Sequence, residues 1–156
     1  MSDNDMTITD SSFESVCARK GGAIFVGVFT TMVIENSLFK DSKSLERGGA
    51  IYATNTAYTL IKSSRFEDNK AVIDSADIFI QDSAKLFEVV DSTFTNSNSN
   101  PIFGERSSLN IENSTFSDIS IGLNKYSVVK CSFCFEFDVK GNQFNNIESF
   151  STVNVE

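Results

Sequence analysis

The chain has 156 residues, a formal net charge of -8 at pH 7, 40% hydrophobic residues and no histidine. A length of this order is typical of one domain. The acidic balance provides no basic stripe for nucleic acid and argues against binding to an anionic membrane surface. No apolar run is long enough to span a bilayer, and the opening MSDNDM is polar and acidic, unlike a signal peptide.

A short phrase, apolar-x-(Ile/Val)-x-(small polar)-(Ser/Asn)-x-Phe, recurs six times along the chain. Its copies end at Phe13, Phe39, Phe66, Phe94, Phe116 and Phe144. Successive copies are 26, 27, 28, 22 and 28 residues apart. A period of this size predicts a solenoid, in which each repeat is one turn that cannot bury its apolar face alone.

A second phrase keeps the same period. GGAIFV at residues 21–26 returns as GGAIYA at 48–53 and decays to SADIFI at 75–80. The apolar slot of this phrase is assigned to Ile24, Ile51, Ile78, Ile102, Val128 and Val155. Two independent phrases with one period make a chance repeat improbable.

The repeats are short, alternating and rich in β-branched residues, which favours strands over helices. Leucine-rich repeats have similar lengths, but their LxxLxL signature is missing, and hexapeptide β-helices would show a finer period. Crossovers between parallel strands are almost always right-handed. The sequence therefore predicts an all-β, right-handed parallel β-helix of about six coils.

Alternation within the second phrase indicates which side chains face the interior. Ile24, Ile51 and Ile78 share one face, whereas Asp77 lies on the other, and an unpaired carboxylate is disfavoured inside a coil. We therefore expect the isoleucines inside and an aromatic row outside, as candidate partner-binding residues or as residues covered by a loop. This row is Phe25, Tyr52, Phe79 and Phe103.

The first phrase is also expected to direct its central apolar residue and its closing Phe inward. The central residues are Ile8, Ile34, Ile61, Val89, Ile111 and Val139. The fifth slot holds the short, turn-prone residues Asp10, Asn36, Ser63, Asp91, Asn113 and Gly141. Side chains stacked at this turn are expected to hydrogen-bond from coil to coil.

The FxxN unit at Phe66–Asn69 and the GGAI units at residues 21–24 and 48–51 carry a family resemblance. The repeats resemble those of chlamydial polymorphic outer-membrane proteins and of protist β-helix proteins of the pectin-lyase-like superfamily. The resemblance covers residues 6–155. It implies passenger, adhesive or structural stalk roles and a secreted or cell-surface location, and it assigns no single chemistry.

The repeats place a polar N-terminal tail at residues 1–5 and a single β-helix domain at 6–156. The repeat pattern starts at Met6 and stops at Val155-Glu156 without a recognisable cap. Open solenoid ends need caps because they expose backbone donors and acceptors. We expect an excerpt of a longer solenoid or a subunit that stacks on neighbours, with irregular caps as the alternative.

Two motifs invite a cofactor or metal interpretation. Cys131 and Cys134 form a CxxC, but the motif lies in an alternating strand, so the thiols are expected to face opposite ways. Zinc would need further ligands. Gly22 and Gly49 lack the Lys-Ser/Thr or helix that phosphate-binding loops require, which favours tight bends with close backbone stacking. We expect no metal and no cofactor.

Acidic clusters at Glu67-Asp68 and Glu136/Asp138 raise the question of acid-base catalysis. Polygalacturonase-like enzymes of this fold use Asp with a His, which this chain lacks, and pectate-lyase-like enzymes use Asp-bound Ca²⁺ with an Arg base. None of the arginines Arg19, Arg47, Arg65 and Arg106 lies in a clustered Asp motif. A solvated acidic surface is therefore the preferred interpretation, and no catalytic residue is assigned.

The sequence thus predicts a non-catalytic structural or adhesive β-helix module. Its expected partners are other protein chains or neighbouring coils of a parent protein in a surface, secreted or filamentous assembly. Carbohydrate is a further possible partner, whereas nucleic acid and membrane insertion are not expected. The alternative is a fragment of a pectin-lyase-like carbohydrate-active enzyme, which a cleft with convergent carboxylates would favour.

Overall fold

The computed structural model describes residues 4–28, 30–83 and 85–156, without the side chains of 122–126 and 150. The described residues form strands and turns, and every strand pairing is parallel. Each coil runs through three faces, which we call the first, second and third face. The predicted all-β parallel solenoid is confirmed, with six first-face strands that delimit about five complete turns.

The first face is the six-stranded sheet that the first phrase builds. Its strands are β1 (Asn4–Thr9), β5 (Thr30–Glu35), β9 (Tyr58–Lys62), β13 (Leu86–Val90), β16 (Ser108–Glu112) and β18 (Glu136–Lys140). Strand β1 starts at Asn4, two residues before the expected start of the domain at Met6, and the rest of the expected tail, residues 1–3, lies outside the described residues.

The second face contains the closing Phe of each first phrase. Its early strands are β2 (Ser12–Glu14), β6 (Leu38–Lys40), β10 (Arg65–Glu67) and β14 (Thr93–Thr95). A small sheet at the corner that follows holds β3 (Cys17–Ala18), β7 (Lys43–Ser44) and β11 (Lys70–Ala71).

The third face contains the second phrase. Its early strands are β4 (Ile24–Val26), β8 (Ile51–Thr54), β12 (Ile78–Gln81) and β15 (Ile102–Glu105). In the last two coils, β17 (Thr115–Ser132) and β19 (Gln143–Val155) each run through both the second and the third face.

These two long strands correct part of the assigned repeat. Ile102 pairs with Val129, and Val129 pairs with Val153, so Val128 and Val155 do not occupy the slot given to them. The register of β17 and β19 shifts between Ser120 and Gly122 and again before Ser127. Counting along the chain misses such shifts, because irregular residues change the phase of alternation.

The closing phenylalanines form an aromatic ladder through the core. Phe39, Phe66, Phe94 and Phe116 are fully buried, and each ring stacks on the next. Ring centroids lie 4.8 to 5.2 Å apart from Phe13 to Phe144, with interplanar angles of 3 to 9°. The inward orientation predicted for Phe is confirmed, and the central isoleucine row is likewise buried at Ile34, Ile61 and Ile111.

The turn after each described first-face strand holds a residue with positive φ, between 48 and 64°. This turn residue is the predicted fifth slot: Asp10, Asn36, Ser63, Asp91, Asn113 and Gly141. Short polar residues and glycine adopt this left-handed conformation at lower cost than bulky ones. The predicted turn is therefore confirmed at all six positions.

Side chains hydrogen-bond from coil to coil, but at the residue that follows the fifth slot and not at the fifth slot itself. We call this row of side chains the hydroxyl ladder. The Ser37 amide donates to Ser64 Oγ at 3.2 Å, and the Ser64 amide donates to Ser92 Oγ at 3.2 Å. Each hydroxyl in turn donates to the carbonyl two residues before it, at 2.9 Å for Ser64. The complete ladder is Ser11, Ser37, Ser64, Ser92, Ser114 and Asn142. It satisfies the amides that the turn removes from strand pairing.

The glycine pairs permit close backbone stacking, as predicted. A Cβ on Gly22 would lie 2.1 Å from the Gly49 carbonyl oxygen, and one on Gly49 would lie 1.9 Å from that of Ala76. Gly21 and Gly48 before them have φ of 57° and 65°. The first glycine of each pair is favoured by its left-handed conformation, and the second is required because a side chain there would collide with the next coil.

The aromatic ladder provides a direct test of the core. Phe66→Ala removes a buried ring between two stacked neighbours and should lower the free energy of unfolding by about 3 to 5 kcal/mol. Lys62→Ala, at an exposed position four residues earlier, should change it by no more than about 0.5 kcal/mol. Urea denaturation measures both, and similar losses for the two variants would contradict the described packing.

Candidate functional site

The aromatic row lies on the outer side of its strands, as predicted, but most of its rings are not exposed to solvent. Only Phe25 is exposed, at 58%, whereas Tyr52, Phe79 and Phe103 retain 7% or less. Those three rings form a second apolar cluster, separate from the core. Three of the four candidate partner-binding residues are therefore unavailable as a free surface.

Cationic side chains cover this row. Lys20 Nζ lies 4.8 Å from the Tyr52 ring centroid, and the Arg47 guanidinium lies 4.7 Å from that of Phe79. Lys130, which pairs with Phe103 in register, lies 5.1 Å from that ring. The cover comes mainly from the segments before each third-face strand, so strand alternation alone does not reveal it. Cation–π contacts of this kind stabilise a desolvated ring.

Asp77 lies inside the coil, which overturns the reasoning that put it outside. Its carboxylate is fully buried and accepts hydrogen bonds from Asn69 Nδ2 at 2.8 Å and Ser97 Oγ at 2.7 Å. Strand β12 begins one residue later, at Ile78, so alternation cannot be extended back through the bend. Buried carboxylates are tolerated where donors satisfy them.

Asp77 belongs to a group of buried polar side chains inside the coils, next to the small corner sheet. Asn69 also donates to the Phe39 carbonyl at 3.0 Å and accepts from the Ser42 amide at 2.9 Å. Burial raises the pKa of Asp77 to about 7, against the smaller opposing effects of Ser97 and Asn69. Asp77 therefore takes up or releases a proton near neutral pH.

Cys131 and Cys134 form a disulfide, with Cα atoms 5.9 Å apart. The expectation of thiols on opposite faces is wrong, because the strand ends at Ser132 and a turn at Phe133, φ 55°, brings the sulfurs together. Cys131 pairs in register with Gly104, where a Cβ would lie 3.3 Å from Cys131 Sγ. The glycine thus leaves space for the bridge.

An exposed aromatic pair beside the disulfide was missed by the sequence reasoning. Phe133 is 72% exposed and Phe135 is 65% exposed. We call these two residues the aromatic patch. The signal was present in CSFCF, since the preceding coils have Asn55, Asp82 and Arg106 at the turn position that Phe133 takes.

A second exposed apolar group lies at the corner after the small sheet. It comprises Leu45, Val72 and Ile73, exposed at 62%, 74% and 55%. The Val72 amide donates to the Ser44 carbonyl at 3.2 Å, so these residues lie on adjacent coils. We call them the aliphatic patch.

Two of the four candidate acid-base carboxylates, Glu67 and Asp138, lie in ion pairs. Glu67 contacts Arg65 and also Lys40, at 3.5 Å, while Asp68 occupies a turn with φ 55°. Asp138 contacts Lys140. All four arginines pair with carboxylates, such as Arg47 with Glu105 at 3.3 Å, and the Arg106 pKa is raised, chiefly by its hydrogen bond to Asp82. A lyase cleft needs an arginine that is free to act as the base, whereas all four of these arginines are held in ion pairs.

A shallow groove of about 350 Å³ lies along the last first-face strand. Its lining residues are Leu86, Leu109, Asn110, Glu136, Phe137 and Asp138. Two carboxylates with an amide and apolar side chains could bind a polar ligand. Among the described residues, no group of three or more Cys, Asp or Glu is arranged to hold a metal ion, and no helix is long and apolar enough to cross a membrane.

Comparison with known proteins identifies one family. The model of the family described as right handed beta helix region matches residues 1–155. No curated protein and no solved structure matches the chain. The match agrees with the parallel coil and with its expected right hand.

Asp77 should make stability depend on pH. Its pKa is about 7 when folded, against an ordinary value of 3.8, so the folded state binds the proton more tightly. This contribution to stability is complete below about pH 3.8 and is lost as pH rises towards 7. Asp77→Asn cannot ionise, so the stability of the variant relative to the parent should increase across that interval.

Denaturant unfolding at several pH values measures this difference. Asp91→Asn is the matched control, because Asp91 is exposed at a turn and asparagine also tolerates its φ of 50°. Parallel pH profiles for Asp77→Asn and the parent would show that Asp77 does not titrate as described.

Proposed function

The chain belongs to the right-handed beta helix family, and from this premise we propose that it is a non-catalytic structural or adhesive module that works in contact with other polypeptide. Such a rod would belong to a surface, secreted or filamentous assembly. The FxxN and GGAI units support this role, because the repeats they resemble serve as passengers, adhesins and stalks.

The observation that carries the proposal is that neighbouring coils join through one repeated pattern of stacked Phe rings and Ser or Asn side chains, to which a further parallel coil can add. Phe13 and Phe144 are only partly buried, and among the described residues each has one stacked neighbour, at 5.0 and 5.2 Å. Ser11 Oγ donates to the Thr9 carbonyl, as the other ladder hydroxyls do to theirs. A further parallel coil would place its own Phe and Ser or Asn at these positions.

Strand edges favour the same kind of occupant. Strands β1 and β18 are the edges of the first-face sheet. The edge of a parallel sheet has donors and acceptors at fixed intervals, which pair with another extended chain. We therefore propose a coil of the same repeat as the partner of such an edge.

The groove beside Glu136 and Asp138 favours a second candidate function, a carbohydrate-active enzyme of pectin-lyase-like type. Glycosidases use two carboxylates that flank the scissile bond. Against this candidate, Asp138 is paired with Lys140, and both carboxylates lie on one strand, two residues apart. The ion-paired arginines also argue against a lyase base.

Coil stacking predicts that a charge at the end of the aromatic ladder weakens association. Phe13→Lys places an ammonium group where an incoming Phe would stack, so the concentration needed for self-association should rise at least tenfold, about 1.4 kcal/mol. Glu14→Lys, exposed on the same strand, is the control. Sedimentation velocity over a wide concentration range measures both variants.

Circular dichroism must show that Phe13→Lys stays folded. Equal association of the two variants would remove the ladder end from the interface. A parent chain that remains monomeric, and that also fails to bind an added homologous coil, would contradict the proposed function.

The enzyme candidate predicts product release from an acidic polysaccharide. We expect no unsaturated uronide, measured by ultraviolet absorbance, and no new reducing ends when the protein is incubated with polygalacturonate and Ca²⁺. The control is the Glu136→Gln, Asp138→Asn double variant. Turnover by the parent that this variant abolishes would establish the enzyme and overturn the non-catalytic proposal.

A further inference from the structure

We propose that Asn113 is a site of N-linked glycosylation, with an oligosaccharide joined to its side-chain amide nitrogen. Asn113, Ser114 and Thr115 form the acceptor pattern Asn-x-(Ser/Thr), in which the middle residue is not proline. Of all the asparagines in the sequence, Asn113 alone begins this pattern. The inference adds a covalent modification to the proposed module and rests on one part of the proposed function, the secreted or surface setting.

The fold places Asn113 where a large substituent can leave the coil. Asn113 is the turn residue between β16 and β17, with φ 50°, and it is exposed. Among the described residues, its side-chain amide makes no hydrogen bond. A glycan on the side-chain nitrogen therefore breaks no contact of the fold, and a bulky, polar group is tolerated at such a surface turn.

This exposure does not depend on the ends of the described coils. Strand β16 lies between β13 and β18 in the first-face sheet, so the turn at Asn113 has a coil on each side. The Asp91 amide of the preceding coil donates to the Glu112 carbonyl at 3.0 Å, and the Asn113 amide donates to the Lys140 carbonyl of the next coil at 3.0 Å. With both neighbours in place, the side chain of Asn113 still faces solvent.

The next coil leaves space beside Asn113. Its fifth slot is Gly141, whereas all the earlier fifth slots hold a residue with a side chain. A Cβ on Gly141 would lie 2.4 Å from Asn113 Oδ1, so the Asn113 side chain occupies space that a side chain at position 141 would need. The φ of 64° at Gly141 is also open to Asn or Asp, as in the earlier turns, so backbone conformation alone does not require the glycine.

Thr115 has a hydroxyl that the fold does not use. Thr115 is half-buried on β17, and within the described part of the chain its hydroxyl has no hydrogen-bond partner. The residues that occupy the same register in other coils are Leu38, Arg65, Thr93 and Gln143. Ser114 differs, because its hydroxyl belongs to the hydroxyl ladder and donates to the Glu112 carbonyl at 3.0 Å. The hydroxyl that the acceptor pattern needs is thus the one without a structural role.

The disulfide is an independent indication of the same compartment. Cys131 and Cys134 are bridged, with Cα atoms 5.9 Å apart. Disulfides form and persist in secretory and extracellular compartments, and acceptor asparagines are glycosylated in secreted chains. A bridge in one coil and an exposed acceptor in another are therefore consistent with one oxidising, secretory environment.

The modification is a group transfer from a lipid diphosphate-linked oligosaccharide, catalysed by a transferase. A bond forms between Asn113 Nδ2 and the anomeric carbon of the first sugar, while the bond from that carbon to the diphosphate oxygen breaks. The lipid diphosphate leaves with the bonding electron pair, and Nδ2 gives one proton to a base of the transferase. The transferase needs residues 113–115 extended and accessible, so transfer precedes pairing of β16 and β17.

Mass spectrometry of the full chain, secreted from a eukaryotic cell line behind an added signal peptide, tests the site. We expect a glycan on the peptide that contains Asn113. Because the turn is exposed, peptide N-glycosidase should remove this glycan from the folded protein without denaturant. Release in heavy-oxygen water converts Asn113 to labelled aspartate, which distinguishes it from spontaneous deamidation.

Three substitutions and a control locate the acceptor. Asn113→Asp and Thr115→Val should each abolish the modification, whereas Thr115→Ser should retain it, because serine also completes the pattern. Asn36→Asp is the matched control, since Asn36 is exposed at the equivalent turn, with φ 50°, and lacks the pattern. Circular dichroism on each variant confirms that it is folded, and chain retained in the cells is assayed in the same way.

The outcomes separate this inference from the proposed function. A parent chain that carries no glycan at Asn113 would overturn the inference, and so would a glycan that Asn113→Asp retains. Release only after denaturation would contradict the exposed attachment. An unmodified chain that still self-associates overturns glycosylation alone, whereas a modified chain that stays monomeric and binds no homologous coil supports glycosylation and contradicts the proposed function.

Discussion

Parallel stacking of coils is the constraint on which the rest of the structure depends. Each strand is short, so the chain turns several times per coil, and each turn removes backbone amides from strand pairing. The coil solves this with residues of positive φ and with hydroxyl side chains that accept the freed amides, as Ser64 does from Ser37. Every coil must repeat this solution at the same place, because its neighbour supplies the partner.

The same requirement explains where the chain can depart from its pattern. Asn69 lies where Ser42 lies one coil earlier, and it bonds both the Ser42 amide and the Asp77 carboxylate, which lets a carboxyl group enter the interior. Cys134 follows the turn residue Phe133, at the position that Ser107 holds after Arg106 in the coil before it. Both residues keep the stacking geometry of the equivalent serine and change the chemistry of the interior at that position.

The sequence pattern predicted those features of the fold that depend on interactions between residues close in the chain. The period, the strands, the inward Phe row and the turn residues all follow from alternation and from the conformational preferences of short polar residues. Asp77 was misplaced because alternation fails across a bend, and the disulfide was missed for the same reason at Phe133. The cover over Tyr52 and Phe79 comes from Lys20 and Arg47 on other segments, which no pattern within the strand records.

The stacking of coils also divides the side chains into constrained and variable positions. Inward and ladder positions are fixed by stacking, and the rings of Tyr52, Phe79 and Phe103 are absorbed into a second packed cluster. What remains variable is the set of side chains that leave the coil at its corners. A large apolar side chain there lowers solubility and gains no burial from the fold. Phe133 at a disulfide-closed turn and Val72 beside Ile73 are exposed side chains of this kind, so the packing of the coils does not account for their presence.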